Sequence, residues 1–221
     1  MKLVMFDMDG TLIDTGSLIT EHMTTTFVQA GLEPPTPAQS RRVIGLSLPK
    51  AMQHLLGSDD VEMANRLADD YRAHYRASLI SAEGREGLFP GAKAVLDGLY
   101  QRDDMLLGIA TGKGLSGVHR LVQLHDIAHH FATLQTPDHN PSKPHPGMML
   151  RAMDETGADK SQTVIIGDTT FDMEMGKAAG TKTIGVTWGY HHEVELRGAG
   201  ADLLVTDYAD LPAAIDTVLG V

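Results

Sequence analysis

The chain has no cysteine, and it has too few basic residues to balance its acidic ones. The absence of cysteine excludes disulfide bonds, thiolate metal sites and thiol nucleophiles. Against 29 acidic residues stand 18 lysines and arginines, for a formal net charge of −11. This charge argues against a sequence-independent nucleic-acid binder, which needs basic patches facing the phosphates. A small anionic substrate remains compatible, because a metal ion and one or two lysines can reverse the potential locally.

Long hydrophobic runs are also missing. No segment approaches the roughly 18 unbroken apolar residues of a membrane-spanning helix, and the N-terminal segment lacks the pattern of a signal peptide. We therefore expect a cytoplasmic protein without a membrane partner. The length suits one sizeable core with a smaller appended unit.

Short apolar runs alternate with helical periodicity along most of the chain. The runs have the length of strands buried in a parallel sheet. Between them, apolar residues recur at helical spacing, as at Ala92, Leu96 and Leu99. The alternation predicts an α/β fold with a doubly wound, mainly parallel sheet. The predicted strands cover residues 3–6, 106–110, 163–166 and 183–186, with weaker candidates at 131–134 and 203–205.

One stretch, from about residue 17 to residue 82, shows helical periodicity and no convincing strand. Its two apolar stripes run from Ile19 to Phe27 and from Val61 to Leu79. One interpretation is that these helices simply pack onto the sheet within a single domain. The interpretation that we favour is an α-helical cap at residues 16–83, inserted into a core formed by residues 1–15 and 84–221.

Asp7 and Asp9 directly follow the first predicted strand, in the segment FDMDGTLID. Ligands of open α/β sheets bind beyond the carboxyl ends of the strands, so both carboxylates should face the binding crevice. Side chains two residues apart lie on the same side of an extended segment, with Met8 turned away. One carboxylate could then act as a nucleophile while the other transfers a proton.

Asp168 and Asp172 follow another predicted strand, in the segment GDTTFD. Hard carboxylate oxygens from two strand ends suit Mg²⁺, which takes few protein ligands and keeps several waters. Taken alone, the pattern has a structural alternative. Asp168 could cap a helix that begins near Thr169, with Asp172 in its first turn.

Thr111, Gly112 and Lys143 are the candidates for binding a phosphate. Thr111 ends a predicted strand, and with Gly112 it offers a hydroxyl and backbone N–H groups at a helix start. Taken alone, Thr111 could instead be a helix cap. Lys143 lies in a loop between prolines, which stiffens its approach, although a loop lysine is usually solvated.

These segments together resemble the haloacid dehalogenase (HAD) superfamily. The resemblance covers essentially the whole chain, including a helical insertion where it lies in the branch of phosphoglycolate phosphatases and β-phosphoglucomutases. In motif order, the matching residues are Asp7 with Asp9, Thr111, Lys143, and Asp168 with Asp172.

The resemblance implies a Mg²⁺-dependent phosphatase acting on a small phosphorylated metabolite. Asp7 would attack phosphorus to form an aspartyl-phosphate, and Asp9 would protonate the leaving oxygen and later deprotonate the attacking water. The phosphoryl oxygens would contact Thr111, Gly112 and Lys143. The metal would be held by Asp7, the Asp9 backbone carbonyl and Asp168, with Asp172 as a ligand or an orienting residue.

Five other functions are weighed against a phosphatase. Dehalogenases and phosphonatases of the superfamily lack an aspartate at the position of Asp9. β-Phosphoglucomutases typically carry a histidine twelve residues beyond the nucleophile, where this chain has Ile19. A pyrophosphatase stays open. A non-catalytic phosphate sensor would not need the full set of reactive groups.

The cap and the histidines give weaker indications. Some cap residues could contact the leaving group, and a monomer or a homodimer would suit the fold. Several histidines lack tight metal-ligand spacing, so we expect them at the surface, although His145 beside Lys143 could approach the pocket. They are His125, His129, His130, His139, His145 and the pair His191 and His192. The cap candidates are Arg41, Arg42, Lys50 and His54.

Overall fold

A parallel sheet of six strands forms the centre of the computed structural model, which describes residues 1–78 and 85–220. Four strong and two weaker strand predictions all correspond to strands of this sheet. Two further strands, of two residues each, form a separate ribbon. In chain order the strands are β1 (Lys2–Phe6), β2 (Ile13–Asp14), β3 (Gly87–Leu88), β4 (Met105–Ala110), β5 (Phe131–Gln135), β6 (Thr163–Gly167), β7 (Lys182–Val186) and β8 (Leu203–Val205).

The strand order is β5-β4-β1-β6-β7-β8, so the first strand of the chain, β1, lies in the middle of the sheet. From β1 the chain first builds one side through β4 and β5, and then crosses to the other side through β6, β7 and β8. The order therefore reverses beside β1, where ligands of doubly wound sheets bind. The predicted α/β fold class is confirmed.

Helices cover both faces of the sheet and form the insertion. Within the described residues, no helix combines the length and the apolar character needed to cross a bilayer. The α-helices are α1 (Gly16–Gln29), α2 (Pro37–Arg42), α3 (Leu48–Leu56), α4 (Val61–Ser78), α5 (Ala92–Tyr100), α6 (Leu115–Leu124), α7 (Gly147–Thr156), α8 (Thr170–Ala179), α9 (Glu193–Gly198) and α10 (Leu211–Leu219).

Alternate residues of β1 enter two different hydrophobic clusters. Val4 and Phe6 pack with residues of α5, α6 and α10, whereas Leu3 and Met5 pack with residues of α7 and α8. Because successive strand residues point to opposite faces, these clusters lie on the two sides of the sheet. Burial on both sides explains why the strands appear in the sequence as continuous apolar runs.

Helices α1 to α4 pack around a hydrophobic cluster of their own, which includes Ile19, Met52 and Leu67. The sequence predicted α1 and α4 but not α2 and α3. Val61 is exposed, so its predicted place on the buried stripe is wrong: it occupies the first turn of α4, beyond the cluster. The predicted stripe residue Leu79 lies outside the described residues.

The two connections to the insertion pair with each other. Strands β2 and β3 form an antiparallel ribbon, with Ile13 opposite Leu88 and Asp14 opposite Gly87. The chain thus leaves the sheet and returns to it at one place. The predicted boundary between residues 83 and 84 lies outside the described residues and stays a prediction.

Candidate active site

Asp7 follows β1 directly and is completely buried. Its backbone N–H donates to the carbonyl of Ile166 on β6 at 2.9 Å, which continues the parallel pairing beyond the end of β1. Met8 belongs to the hydrophobic core, so its side chain turns away from the crevice. The carboxylates of Asp7 and Asp9 instead meet lysines on the crevice side.

Lys143 is buried between two of the predicted carboxylates. Its Nζ lies 2.9 Å from Asp7 Oδ1 and donates to Asp172 Oδ1 at 2.5 Å. Carboxylate oxygens of Asp7, Asp168 and Asp172 all lie within 4.8 Å of one another. The fold therefore brings together four predicted site residues from three separate segments of the chain.

Asp168 and Asp172 have different surroundings. Asp168 accepts from the Thr11 hydroxyl and from the backbone N–H of Tyr190, each at 2.8 Å. Asp172 Oδ2 accepts from the backbone N–H and the hydroxyl of Thr169, at 3.1 and 2.6 Å. Thr169 is the N-cap of α8, so the capping alternative is wrong for Asp168. Asp172 completes that cap and also holds Lys143.

Burial dominates the electrostatics of this cluster. It raises the pKa of Asp7 to about 7, although Lys143 opposes the shift. Burial also raises the pKa of Asp168, and the charge of Asp7 adds to that shift. Burial alone would lower the pKa of Lys143, but Asp172 and Asp7 raise it. Three buried carboxylates around one buried cation favour the binding of further positive charge.

The donor set fits a hard divalent cation. Within the described part of the chain, Asp7 Oδ2 is buried and has no hydrogen-bond partner. A buried carboxylate oxygen in that state is costly unless another group satisfies it. Asp168 accepts one hydrogen bond on each oxygen and keeps lone pairs free. Both oxygens of Asp172 are already engaged, which favours an orienting role for this residue.

Thr111 and Gly112 lie at the end of β4, beneath the helical insertion. The Thr111 hydroxyl accepts from the backbone N–H of Lys113 at 3.2 Å. Gly114, not Thr111, is the N-cap of α6, so the capping alternative is wrong here too. A Cβ atom on Gly112 would lie 2.3 Å from the carbonyl oxygen of Leu46. Glycine is therefore required where the loop before α3 covers the site.

A cavity of ≈ 640 Å³ opens between the insertion and the sheet, and Asp9, Thr111 and Gly112 are on its wall. Asp9 Oδ1 accepts from the Thr15 hydroxyl at 2.7 Å, and Asp9 Oδ2 lies 3.3 Å from Lys113 Nζ. The sequence analysis missed Thr15 and Lys113. The segment IATGK contained the signal for Lys113, but only its threonine and glycine were used.

The four predicted cap residues lie outside the cavity that contains Asp9. Arg42 pairs with Glu195 at 2.5 Å. Lys50 and His54 line a second cleft, whose wall also includes Lys143 and His145. Arg41 is exposed and is not on the wall of the first cavity.

The prediction that the histidines are at the surface is wrong for His130 and His191, which are both buried. His130 Nε2 lies 2.7 Å from Asp97 Oδ1. His191 Nδ1 accepts from the backbone N–H of Thr170 at 3.1 Å. Both rings satisfy local polar groups, which a linear pattern does not reveal.

Residues 4–186 match the family model of haloacid dehalogenase-like hydrolases. The chain is 34% identical to "Probable phosphatase IndB" of Dickeya dadantii, over 98% of this chain and 94% of that protein. It is 31% identical to N-acetylmuramic acid 6-phosphate phosphatase of Pseudomonas aeruginosa, over 99% of this chain and 96% of that protein. Relatives named phosphoglycolate phosphatase match as well.

Among solved structures, a haloacid dehalogenase-like family hydrolase of Streptococcus pneumoniae superposes with a TM-score of 0.82 at 26% identity. The match covers 97% of this chain and 98% of that one. The resemblance drawn from the four sequence motifs is thereby confirmed.

Proposed function

Since this chain belongs to the haloacid dehalogenase-like hydrolase family and is a phosphatase, we propose that it hydrolyses small phosphomonoesters through an aspartyl-phosphate on Asp7. The observation that carries the proposal is the burial of Asp7 at the central strand end, within 2.9 Å of Lys143 and beside Asp168. A nucleophilic carboxylate needs such a water-poor site, with positive charge close to the phosphoryl group.

Mg²⁺ is the cofactor that the site would take. Asp7 and Asp168 would supply carboxylate oxygens, and the Asp9 backbone carbonyl is the further ligand suggested by the resemblance. Asp172 would hold Lys143 in place. When bound, the ion would neutralise charge on the phosphoryl group and on the attacking carboxylate.

The reaction would proceed in two displacements at phosphorus. Asp7 attacks, the bond from phosphorus to the leaving oxygen breaks, and Asp9 donates a proton to that oxygen. Asp9 then accepts a proton from water, which attacks phosphorus and releases phosphate from Asp7. Lys143, the Thr111 hydroxyl and the Gly112 N–H would bind phosphoryl oxygens throughout.

The surroundings of Ile19 and His22 support a phosphatase over a phosphosugar mutase. Ile19, at the position where mutases typically carry a histidine, is buried in the cluster formed by the insertion. His22 is buried, and its Nε2 lies 2.9 Å from the Ser78 hydroxyl. Ile19 shares the cavity wall with Asp9 but supplies no imidazole, and the imidazole of His22 is engaged with Ser78. Pyrophosphate remains an alternative substrate, to be tested beside the esters.

We also propose that residues 16–83 act as a cap on a core of residues 1–15 and 84–221. The separate hydrophobic cluster of α1 to α4 supports this division. The β2–β3 ribbon supports it too, because both connections cross at one place.

The test is phosphate release from p-nitrophenyl phosphate, with Mg²⁺ and with a chelator present. We expect Mg²⁺-dependent turnover that falls by at least ~10⁴-fold in Asp7→Asn, as in other enzymes that lose a nucleophile. Asp14→Asn is the matched control, because Asp14 is an exposed carboxylate nearby. Acid-quenched wild-type protein should contain one hydroxylamine-sensitive phosphoryl group. Undiminished turnover in Asp7→Asn would remove the nucleophile assignment.

A further inference from the structure

The cavity beside Asp9 gathers positive charge, although the chain has a formal net charge of −11. Its basic residues come from both sides of the cavity, two from the core and two from α4. The carboxylates on the same wall are Asp9 and Asp138. The basic residues are Lys113 and Arg120 in the core and Arg72 and Arg76 on α4.

Two of these cations flank one aromatic ring. Lys113 Nζ lies 5.3 Å from the ring centroid of Tyr75, and Arg120 Cζ lies 5.9 Å from it. The side chain of Lys113 is 13% exposed and that of Arg120 is 31% exposed. Both charges are therefore less screened by solvent than charges at an open surface. We call Tyr75, Lys113 and Arg120 the Tyr75 wall.

The carboxylates near the Tyr75 wall leave some of its hydrogen-bond donors unused. Arg120 donates to Glu86 Oε1 at 2.6 Å, and the Tyr75 hydroxyl donates to the same atom. Burial alone would raise the pKa of Glu86, but these hydrogen bonds lower it, so Glu86 stays ionised. One carboxylate still leaves Arg120 several of its five N–H donors.

The other three cations differ in how far their charge is balanced, and Arg72 pairs with Asp69 at 2.7 Å. Lys113 has only Asp9, at 3.3 Å, as an ion-pair partner in the structure described. Within residues 1–78 and 85–220, no carboxylate forms an ion pair with Arg76. Arg76 is exposed at the side of α4 that borders the cavity. Arg76 and the remaining N–H donors of Arg120 are therefore available to an anion that enters the cavity.

We infer, on the basis of the proposed function, that the preferred phosphomonoester has a ring-sized leaving group that carries a second anionic group, a carboxylate or a phosphate. The ring would pack against Tyr75, and the anion would bind among Lys113, Arg120 and Arg76. A volume of ≈ 640 Å³ falls within the ~300–1,000 Å³ of small-molecule sites and is generous for a two-carbon leaving group.

The test compares kcat/KM for substrates that differ in one anion. N-acetylglucosamine 6-phosphate and N-acetylmuramic acid 6-phosphate share the ring and the phosphate, but the second also has a carboxylate on a lactyl ether. Its methyl ester keeps the bulk and removes the charge. Glucose 6-phosphate and glucose 1,6-bisphosphate form the second pair and report on a phosphate as the added anion.

We expect the charged member of at least one pair to be preferred by roughly tenfold or more, the typical value of a charge-assisted hydrogen bond. In Lys113→Gln and Arg76→Gln this preference should shrink at least about threefold. The readout is the ratio of kcat/KM between two substrates of the same variant. A general loss of rate, for example because Lys113 no longer contacts Asp9, affects both substrates and cancels in this ratio. Arg197→Gln removes one exposed, ion-paired charge away from the cavity and should leave the ratio unchanged.

The outcomes separate the inference from the proposed function. A preference for the carboxylate identifies the anion as an acid, and a preference for the bisphosphate identifies it as a second phosphate. Equal rates for the acid and its methyl ester, with no gain from the second phosphate, would overturn the inference while Mg²⁺-dependent hydrolysis of p-nitrophenyl phosphate stands. If no ester is hydrolysed, both proposals fail.

Discussion

The end of the sheet and the helical insertion differ in the kind of residue that they bury. At the end of β1, three carboxylates and one lysine are held without solvent access, so each charge depends on its neighbours. In the insertion, the buried cluster is apolar, and its charged residues lie outside or face the cavity. Under the proposed function, catalysis would depend on the coupled buried charges, whereas substrate choice would depend on a few polar contacts at the cavity.

The two regions contact each other through polar groups and through Tyr190, which packs against the cluster of the insertion. The backbone N–H of Ser47 donates to the Ser142 hydroxyl at 2.8 Å, next to Lys143. Glu86, beside β3, links Tyr75 on α4 to Arg120 on α6. Asp7 is completely buried in this arrangement, so a substrate can reach its carboxylate only after some of the residues that cover it move.

The largest effect on turnover is expected from a substitution among the buried carboxylates at the end of the sheet. Replacing Asp168 with asparagine removes a charge that the proposed metal site needs. The amide oxygen can still accept from the Tyr190 N–H, and the amide NH₂ can donate to the Thr11 hydroxyl. We expect turnover to fall by about 10³-fold, which corresponds to several kcal/mol of transition-state stabilisation. The measurement is steady-state phosphate release over a range of Mg²⁺ concentrations.

Thermal unfolding supplies a second readout for the same variant. Mg²⁺ should raise the Tm of the wild-type protein, because a ligand that binds only the native state stabilises it. That shift should disappear in Asp168→Asn and persist in Asp207→Asn, which changes an exposed carboxylate. An unchanged Mg²⁺-induced shift in Asp168→Asn would show that the ion binds elsewhere.

A smaller effect on catalysis is expected when a buried side chain is removed from the hydrophobic cluster of the insertion. Leu67→Ala should destabilise the cluster of α1 to α4 by about 2–5 kcal/mol, the usual cost of removing a buried leucine side chain. Turnover should fall only several-fold, because the buried charges are untouched. Leu96→Ala makes the same change beneath the sheet and is the matched comparison.

Hydrogen exchange distinguishes two regions from one cooperative unit. In Leu67→Ala, exchange should accelerate within residues 16–78 and stay slow in β1 and β6. In Leu96→Ala, the acceleration should include β1, because Leu96 and Val4 share one cluster. Uniform acceleration by both variants would favour the alternative in which the helices and the sheet form a single domain.

Sequence patterns predicted the strands that are buried along their whole length. They did not predict the elements that are held in place by contacts with distant parts of the chain. Strands such as residues 163–167 are apolar on both faces, so they are visible as runs. Helix α3 was missed, because it is only nine residues long. Such a short helix is held by tertiary packing, which propensity does not report.

The candidate site shows the same division. Asp7 and Asp168 each follow a strand end, a position that the sequence can reveal. Tyr75 and Arg120 lie 45 residues apart and meet only because the insertion folds over the sheet. Gly112 was chosen for its N–H group, but its close approach to Leu46 is a property of the folded interface alone. Contacts between the two regions are therefore the part of the site that sequence patterns do not supply.

The smallest effect is expected at the outer edge of the interface. Arg42 and Glu195 form an ion pair at 2.5 Å between α2 and α9, but the side chains are 49% and 26% exposed. Solvent screens such a pair and its side-chain entropy opposes it, so Arg42→Gln should change stability by only about 0–1 kcal/mol. Turnover and KM should match the wild type in low and in high salt. If KM rose several-fold at low salt and recovered with added salt, the outer edge would share in closing the insertion, and the division between fixed chemistry and a few cavity contacts would have to include it.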